Sequence, residues 1–120
     1  MTNTEKRLAF QKDCALLQAY AQARGIQYLI TAYYRTPEQQ LTLFNEGKSR
    51  CDGFQKVSAH QKWLAMDLAI LNPDGSVQWQ RDKRYEDLGQ YWKEQRKNVW
   101  GGDWPGLNDI YHFEFRDALS

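Results

Sequence analysis

The chain holds two histidines, His60 and His112, and each has carboxylates close by in sequence. Asp67 follows His60 by seven residues, inside the apolar run "LAMDLAI". Asp109 precedes His112 by three residues, and Glu114 follows it by two. A carboxylate among aliphatic residues is costly to bury unless it is paired or binds a metal. Two histidines and one carboxylate make a three-ligand set for a catalytic zinc ion, with a fourth position left open. Spacing alone leaves convergence undecided: Asp67 also fits an ordinary strand aspartate, and either histidine a surface or core residue.

These residues need elements to position them. "TNTE" reads as a capping box, Thr2 with Glu5. Phe10, Cys14, Leu17 and Ala21 recur at helical spacing, so a helix is expected from about Glu5 to Arg24, stopped by Gly25. Ile26 to Tyr34 is rich in β-branched and aromatic residues and reads as a strand. Thr36, Pro37 and Gln39 start a second helix that runs to about Glu46. A polar loop follows, and then a strand around Asp67. There Met66, Leu68 and Ile70 face the core, while Ala65, Asp67 and Ala69 face outward or line a cleft. "NPDGS" is a turn that joins this strand to "VQW" as a hairpin. Tyr85, Leu88 and Trp92 mark a third helix from about Lys83 to Arg96. "VWGGDWPGLNDI" reads as a loop, and Tyr111 to Phe115 as a last strand. On that strand His112 shares a face with Glu114, and Phe113 and Phe115 face the core. The order α, β, α, β, β, α, β implies an α+β fold with a mostly antiparallel sheet and three helices.

At 120 residues the chain fits one domain, residues 1–120, with room for a proper core. A charged fraction of 26% and an aromatic fraction of 14% argue against disorder. The net charge of +1 gives no case for nucleic-acid or membrane binding. No apolar run approaches the ~20 residues of a membrane span. "MTNTEKRLAFQKD" lacks the layout of a secretory signal, so synthesis and retention in the cytoplasm are expected. Cys14 and Cys51 offer neither zinc spacing nor a disulfide framework, and both read as free thiols.

Ser58, His60, Ala65 and Asp67 match the motif SxHxxGxAxD. The chain thereby resembles the zinc peptidases that cut the peptide stems of peptidoglycan, the D-alanyl-D-alanine carboxypeptidases and the L-alanyl-D-glutamate peptidases. "DIYHFEF" resembles that family's last zinc-ligand run, with Asp109 and His112 in place. "YRTPEQQ", Tyr34 to Gln40, resembles its Tyr-Arg-Ser/Thr segment. Aspartate at position 109 and the Trp100–Trp104 run "WGGDW" bring the bacteriophage endolysins nearest.

The resemblance implies one zinc ion on His60, Asp67 and His112, in a cleft at the sheet. It implies Asp109 as general base, and Arg35 as the group that binds a substrate carboxylate or the developing oxyanion. Gln40 matches the family's glutamine, although a helix-surface glutamine reads nearly as well. Ser58 and Glu114 are expected to support the metal site by hydrogen bonds. Lys48, Arg50 and Lys56 read as a solvated loop that could attract stem carboxylates. Trp100, Trp104 and Tyr111 read as core or cleft wall.

The implied activity is hydrolysis of an amide in the peptidoglycan stem, foremost L-alanyl-D-glutamate, by a monomeric phage or prophage endolysin with no separate wall-binding domain. Such an enzyme is released to the wall through a holin-type pore. The rivals are a D,D- or L,D-carboxypeptidase and an inactive, metal-bearing wall-binding module. One departure stands out: Trp63 occupies the motif's glycine position. Tryptophan adopts a positive φ only at a cost, so a differently built turn is expected there.

Overall fold

A computed structural model of the chain describes residues 1–119. Three helices, α1 (Asn3–Ala23), α2 (Pro37–Asn45) and α3 (Lys83–Glu94), surround four strands. The strands are β1 (Tyr28–Ala32), β2 (Ala65–Ile70), β3 (Val99–Trp100) and β4 (His112–Glu114). They form one sheet in the order β1-β2-β4-β3, with every neighbouring pair antiparallel. The expected α+β architecture is observed.

Local chemistry explains the helix starts. Thr2 and Glu5 make a reciprocal capping box on α1, and Thr36 and Gln39 make one on α2. Asp82 caps α3 by accepting from the Arg84 and Tyr85 N–H groups. The core lies between the sheet and the pair α1/α3. Trp92 sits edge-on to both Phe10 of α1 and Phe113 of β4. Its indole N–H donates to the carbonyls of Val99 and Glu114, which ties α3 to the edge of the sheet. Met66, Leu68 and Ile70 are fully buried on this side. The other face of the sheet carries Asp67, and short 3-10 turns pack over it.

Two expectations are corrected. Val77 to Trp79 is not a strand: only an isolated bridge joins Leu71 to Val77. The Asn72–Ser76 turn forms as expected, with Gly75 at φ 88°. Beyond it the Gln78 carbonyl accepts from the Tyr85 hydroxyl rather than from a ladder, and Trp79 is exposed. Conversely, the tryptophan- and glycine-rich loop contributes β3. Two residues are too short to show an alternating pattern. Trp100 is held there by its indole N–H on the Ile110 carbonyl.

Candidate metal centre

Three elements converge on the open side of the sheet. Asp67 of β2 and His112 of β4 are direct cross-strand partners, so their side chains leave the sheet together. His60 arrives on a 3-10 turn, Ala59–Lys62, which Ser58 caps. Ligand atoms of His60, Asp67 and His112 all lie within 4.8 Å of one another. The Asp67 Oδ1 atom is 3.2 Å from His60 Nε2 and 3.3 Å from His112 Nδ1.

The hydrogen bonds around the cluster show what these atoms are poised to hold. His60 Nδ1 lies 2.8 Å from the Tyr33 carbonyl, which can only accept, so Nδ1 carries the proton. Its Nε2 lone pair then faces Asp67. His112 Nε2 lies 2.8 Å from the Glu114 carboxylate and donates to it. Its Nδ1 lone pair therefore also faces Asp67. Two imidazole lone pairs and a carboxylate oxygen thus point at one place, an arrangement that repels itself unless a cation lies between them. Either an added proton or a metal ion satisfies it. The donor set of two nitrogens and one oxygen suits zinc, and the outer partners Tyr33 and Glu114 are of the type that orients metal-bound histidines.

In the metal-free protein the proton plays that part. Burial pushes the His112 ring down, but hydrogen bonds to Asp67 and Glu114 outweigh it and raise it to about 9. For Asp67, burial acts upward and is overcome by the two histidines, which hold the carboxyl well below its ordinary range.

Arg35 reaches the cluster from the chain after β1. Its Nη2 is 2.6 Å from Asp67 Oδ2, the oxygen the histidines leave free. A register irregularity between Ile30 and Ala32 bends the chain there, so that Tyr33 to Arg35 wrap over the site. Gln40 is fully buried rather than on a helix surface. Its amide donates to Ser49 Oγ at 2.7 Å and the Cys51 carbonyl at 2.9 Å, and its carbonyl accepts from Arg35 Nη1 at 3.4 Å. It therefore braces both the loop and the arginine. Ser58 Oγ accepts from the His60 main-chain N–H at 3.3 Å, so it supports the backbone of the turn, not the ring.

Asp109 lies beside the cluster. Burial pushes its carboxyl up, while the positive charge of His112 partly opposes the shift. Its carbonyl accepts from the His112 N–H at 3.1 Å. Gly101 makes this approach possible, since a Cβ there would collide with the Asp109 carbonyl and lie 3.0 Å from the His112 Cβ. Trp104 tilts over the His112 ring with centroids 4.9 Å apart. Trp100, by contrast, is core. Sequence reasoning missed Gly101 and the Tyr33 carbonyl. The paired glycines in "WGGDW" are the signal that could have found the first; a main-chain acceptor leaves none.

Trp63 contradicts expectation. It adopts φ 61° and ψ 34°, the left-handed conformation that glycine would favour. The Leu64 N–H bonds back to the Ala59 carbonyl, so the elbow closes the 3-10 turn as a glycine would. A side chain in this conformation costs roughly 1–2 kcal/mol. The Trp63 ring stacks on Tyr34, with centroids 4.7 Å apart and planes 16° apart. The Arg7 guanidinium lies 5.2 Å from the ring centroid. Stacking contributes about 0.5–1.5 kcal/mol and an exposed cation–π contact about 0.5–1 kcal/mol, enough together to offset the strain.

Lys48 pairs with Glu46 on the surface, and Arg50 and Lys56 are exposed. Cys14 is buried, and burial raises its thiol. Cys51 is half-buried, and both cysteines are free. Among the described residues no helix is long and apolar enough to cross a membrane.

The chain is similar to known proteins. The family described as D-alanyl-D-alanine carboxypeptidase matches residues 52–115. The peptidoglycan L-alanyl-D-glutamate endopeptidase CwlK of Bacillus subtilis (strain 168) is 29% identical over 116 residues, covering 87% of this chain and 70% of that protein. The L-alanyl-D-glutamate peptidase of Listeria phage A118 is 30% identical over 99 residues, covering 80% of this chain but 33% of that protein. Among solved structures, the L-Ala D-Glu endopeptidase ChiX of Serratia marcescens has the same fold, with a TM-score of 0.60 at 24% identity over 75% of this chain and 67% of that one. The family match spans more than half of the chain and takes in His60, Asp67, Asp109 and His112: the chain belongs to the D-alanyl-D-alanine carboxypeptidase family of metallopeptidases.

Proposed function

We propose that the chain is a zinc-dependent peptidoglycan endopeptidase that hydrolyses the L-alanyl-D-glutamate bond of the stem peptide. The observation that carries this reading is the convergence of ligand atoms of His60, Asp67 and His112 within 4.8 Å of one another, beside a part-buried carboxylate at Asp109. These three residues would hold one zinc ion. When bound, zinc lowers the pKa of a water toward ~7 and polarises the scissile carbonyl.

The remaining work falls to the chain's own residues. Asp109 takes a proton from the attacking water as the C–O bond forms, and passes it to the leaving amine so that the C–N bond can then break. Its raised pKa suits that task. Arg35 holds Asp67 through Oδ2 and leaves Oδ1 toward the histidines. Its guanidinium is only part-covered and offers remaining donors to a substrate carboxylate or a developing oxyanion. Glu114 and the Tyr33 carbonyl fix the two rings, Gln40 braces Arg35, and Ser58 braces the turn that carries His60.

The choice of bond rests on the relatives, both of which are named for L-alanyl-D-glutamate. The family description instead favours a second reading, a carboxypeptidase that trims terminal D-alanine. In either case the partner is peptidoglycan, and the chain acts as a monomeric catalytic domain. The likeness to a phage enzyme supports an endolysin role; in that role the chain would reach the wall through a pore made by a holin-type partner.

Digestion of purified sacculi, followed by mass spectrometry of the muropeptides, tests the proposal. The expected product is a glycan-linked L-alanine with a free carboxyl, together with peptides that begin at D-glutamate, and a chelator should abolish both. Release of D-alanine alone would establish the carboxypeptidase. No released amine from zinc-loaded protein would overturn the peptidase reading and favour a non-catalytic wall-binding module.

A further inference from the structure

The end of β1 grips the metal-binding turn in an alternating way. Tyr33 accepts from His60 Nδ1, and the Arg35 N–H donates to the His60 carbonyl at 3.3 Å. Tyr34, between them, points away and stacks on Trp63. The same His60 carbonyl also accepts from the Trp63 N–H at 3.3 Å. His60 is thus bound to residues 33 and 35 through the backbone, and the elbow after it is bound to residue 34 through a ring.

Ala59 and Leu64 on either side of the elbow are buried in the core, but the Trp63 ring lies outside it, half-exposed. A groove of about 260 Å³ separates it from α1, lined by Phe10, Cys14, Tyr33 and Trp63 among others. Arg7, reaching from α1 to the Trp63 ring, spans this gap. The elbow's main chain is closed by the Leu64 N–H on the Ala59 carbonyl and tied to the end of the last strand by the Phe115 N–H on the Leu64 carbonyl, while the Trp63 ring is held from outside by Tyr34 and Arg7.

We propose that the Tyr34–Trp63–Arg7 stack is a positioning device that clamps the His60 turn onto the end of β1 and so sets the direction of His60 Nε2. Tyr34 and Trp63 are positioning residues, acting on the site only through His60. The inference rests on the reading of His60 as a metal ligand, and it adds a reason for tryptophan at a position where glycine is easier for the backbone.

Two readouts test it: the zinc dissociation constant, by competition with a chromophoric chelator, and exchange of the His60 Nδ1 proton, by NMR on metal-free protein. Tyr34→Ala and Trp63→Gly should each weaken zinc binding about tenfold and speed that exchange about tenfold. Tyr34→Phe, which keeps the ring, should retain both wild-type values. Tyr20→Ala serves as a control. It breaks the Tyr20–Tyr91 stack, with centroids 4.0 Å apart, on a different pair of elements. It should lower the melting temperature but leave both readouts unchanged. Wild-type zinc affinity and wild-type exchange in Tyr34→Ala would overturn the proposal, as would equal effects from Tyr20→Ala. If the wild-type protein bound no zinc, the metal reading would fail, and proton exchange alone would still decide for or against the clamp.

Discussion

Asp67 and Arg35 meet at 2.6 Å through a single carboxylate oxygen, Oδ2, while Oδ1 is left to His60 and His112. One side chain therefore serves two cations of different kinds, a permanent guanidinium on one side and an exchangeable charge on the other. This division makes the pair a structural element of the metal-free protein as well as part of the site.

Arg35→Met should expose that double role. Both partners are mostly covered, and removing one member of a fully buried pair costs ~3–5 kcal/mol; with the remaining solvent contact, a loss of about 1–3 kcal/mol is expected. A bound metal supplies positive charge to the same carboxylate. Thermal unfolding of Arg35→Met should thus show a clear fall in melting temperature without zinc and a smaller fall with it. Activity should drop by about two to three orders of magnitude through loss of a charge-stabilising donor. Equal falls in melting temperature with and without zinc would show that the pair and the metal act independently.

Proton and metal should compete at His112. Its pKa in the metal-free protein is raised to about 9, so stability from its ion pairs is fully present below the ordinary 6.5 and is lost as pH rises through about 9. Asp67 is shifted downward, so its share is present above the ordinary 3.8 and is lost only as pH falls through its depressed value. The cluster therefore stabilises the metal-free fold most between those two ordinary values. Zinc requires a bare Nδ1, so loading at pH 7 should release about one proton per ion. Apparent affinity should tighten about tenfold per pH unit toward 9 and then level off. Calorimetry in buffers of differing ionisation enthalpy measures that proton directly, and a value near zero would contradict the assignment.

The two strands that hold Asp67 and His112 were legible in the sequence, because "LAMDLAI" and "YHFEF" alternate within covered runs. Their cross-strand pairing was not, since register depends on neighbours far along the chain. The capping boxes at Thr2 and Thr36 were legible because both partners lie within one turn. Gln40 was ambiguous, for its burial depends on a loop that wraps back over α2. Trp63 misled, because the glycine rule treats backbone cost alone. The stack that offsets the cost comes from Tyr34 and Arg7, both far away in sequence. The Val77–Trp79 hairpin arm failed because Tyr85 captures its backbone acceptor.

Asp109→Asn separates proton transfer from metal binding. Asparagine keeps the shape, and the main-chain bond to the His112 N–H is untouched. Zinc affinity should stay within a few-fold of wild type. The cleavage rate should fall by roughly 10²–10⁴, the usual contribution of a general base. Single-turnover digestion with zinc in excess makes the comparison, and unimpaired cleavage would remove Asp109 from the reaction.

Gly101→Ala should damage the site through packing alone. Its new methyl group would press on the Asp109 carbonyl and approach His112 Cβ to 3.0 Å. The Asp109 contact is backbone, which cannot swing aside as a side-chain tip can. Overpacking of this kind costs typically ~1–3 kcal/mol. The melting temperature should drop by several degrees, with zinc affinity and activity falling together because Asp109 and His112 move as one segment. Gly47→Ala is the informative contrast. Gly47 also has no side chain, but a Cβ there meets nothing within 4 Å. Its φ of 75° still makes alanine strained, so some loss of stability is expected there too. Zinc affinity and cleavage rate should nevertheless remain at wild-type values. If Gly101→Ala behaved like Gly47→Ala in those two measurements, close approach at Gly101 would not be what holds the base beside the metal ligands.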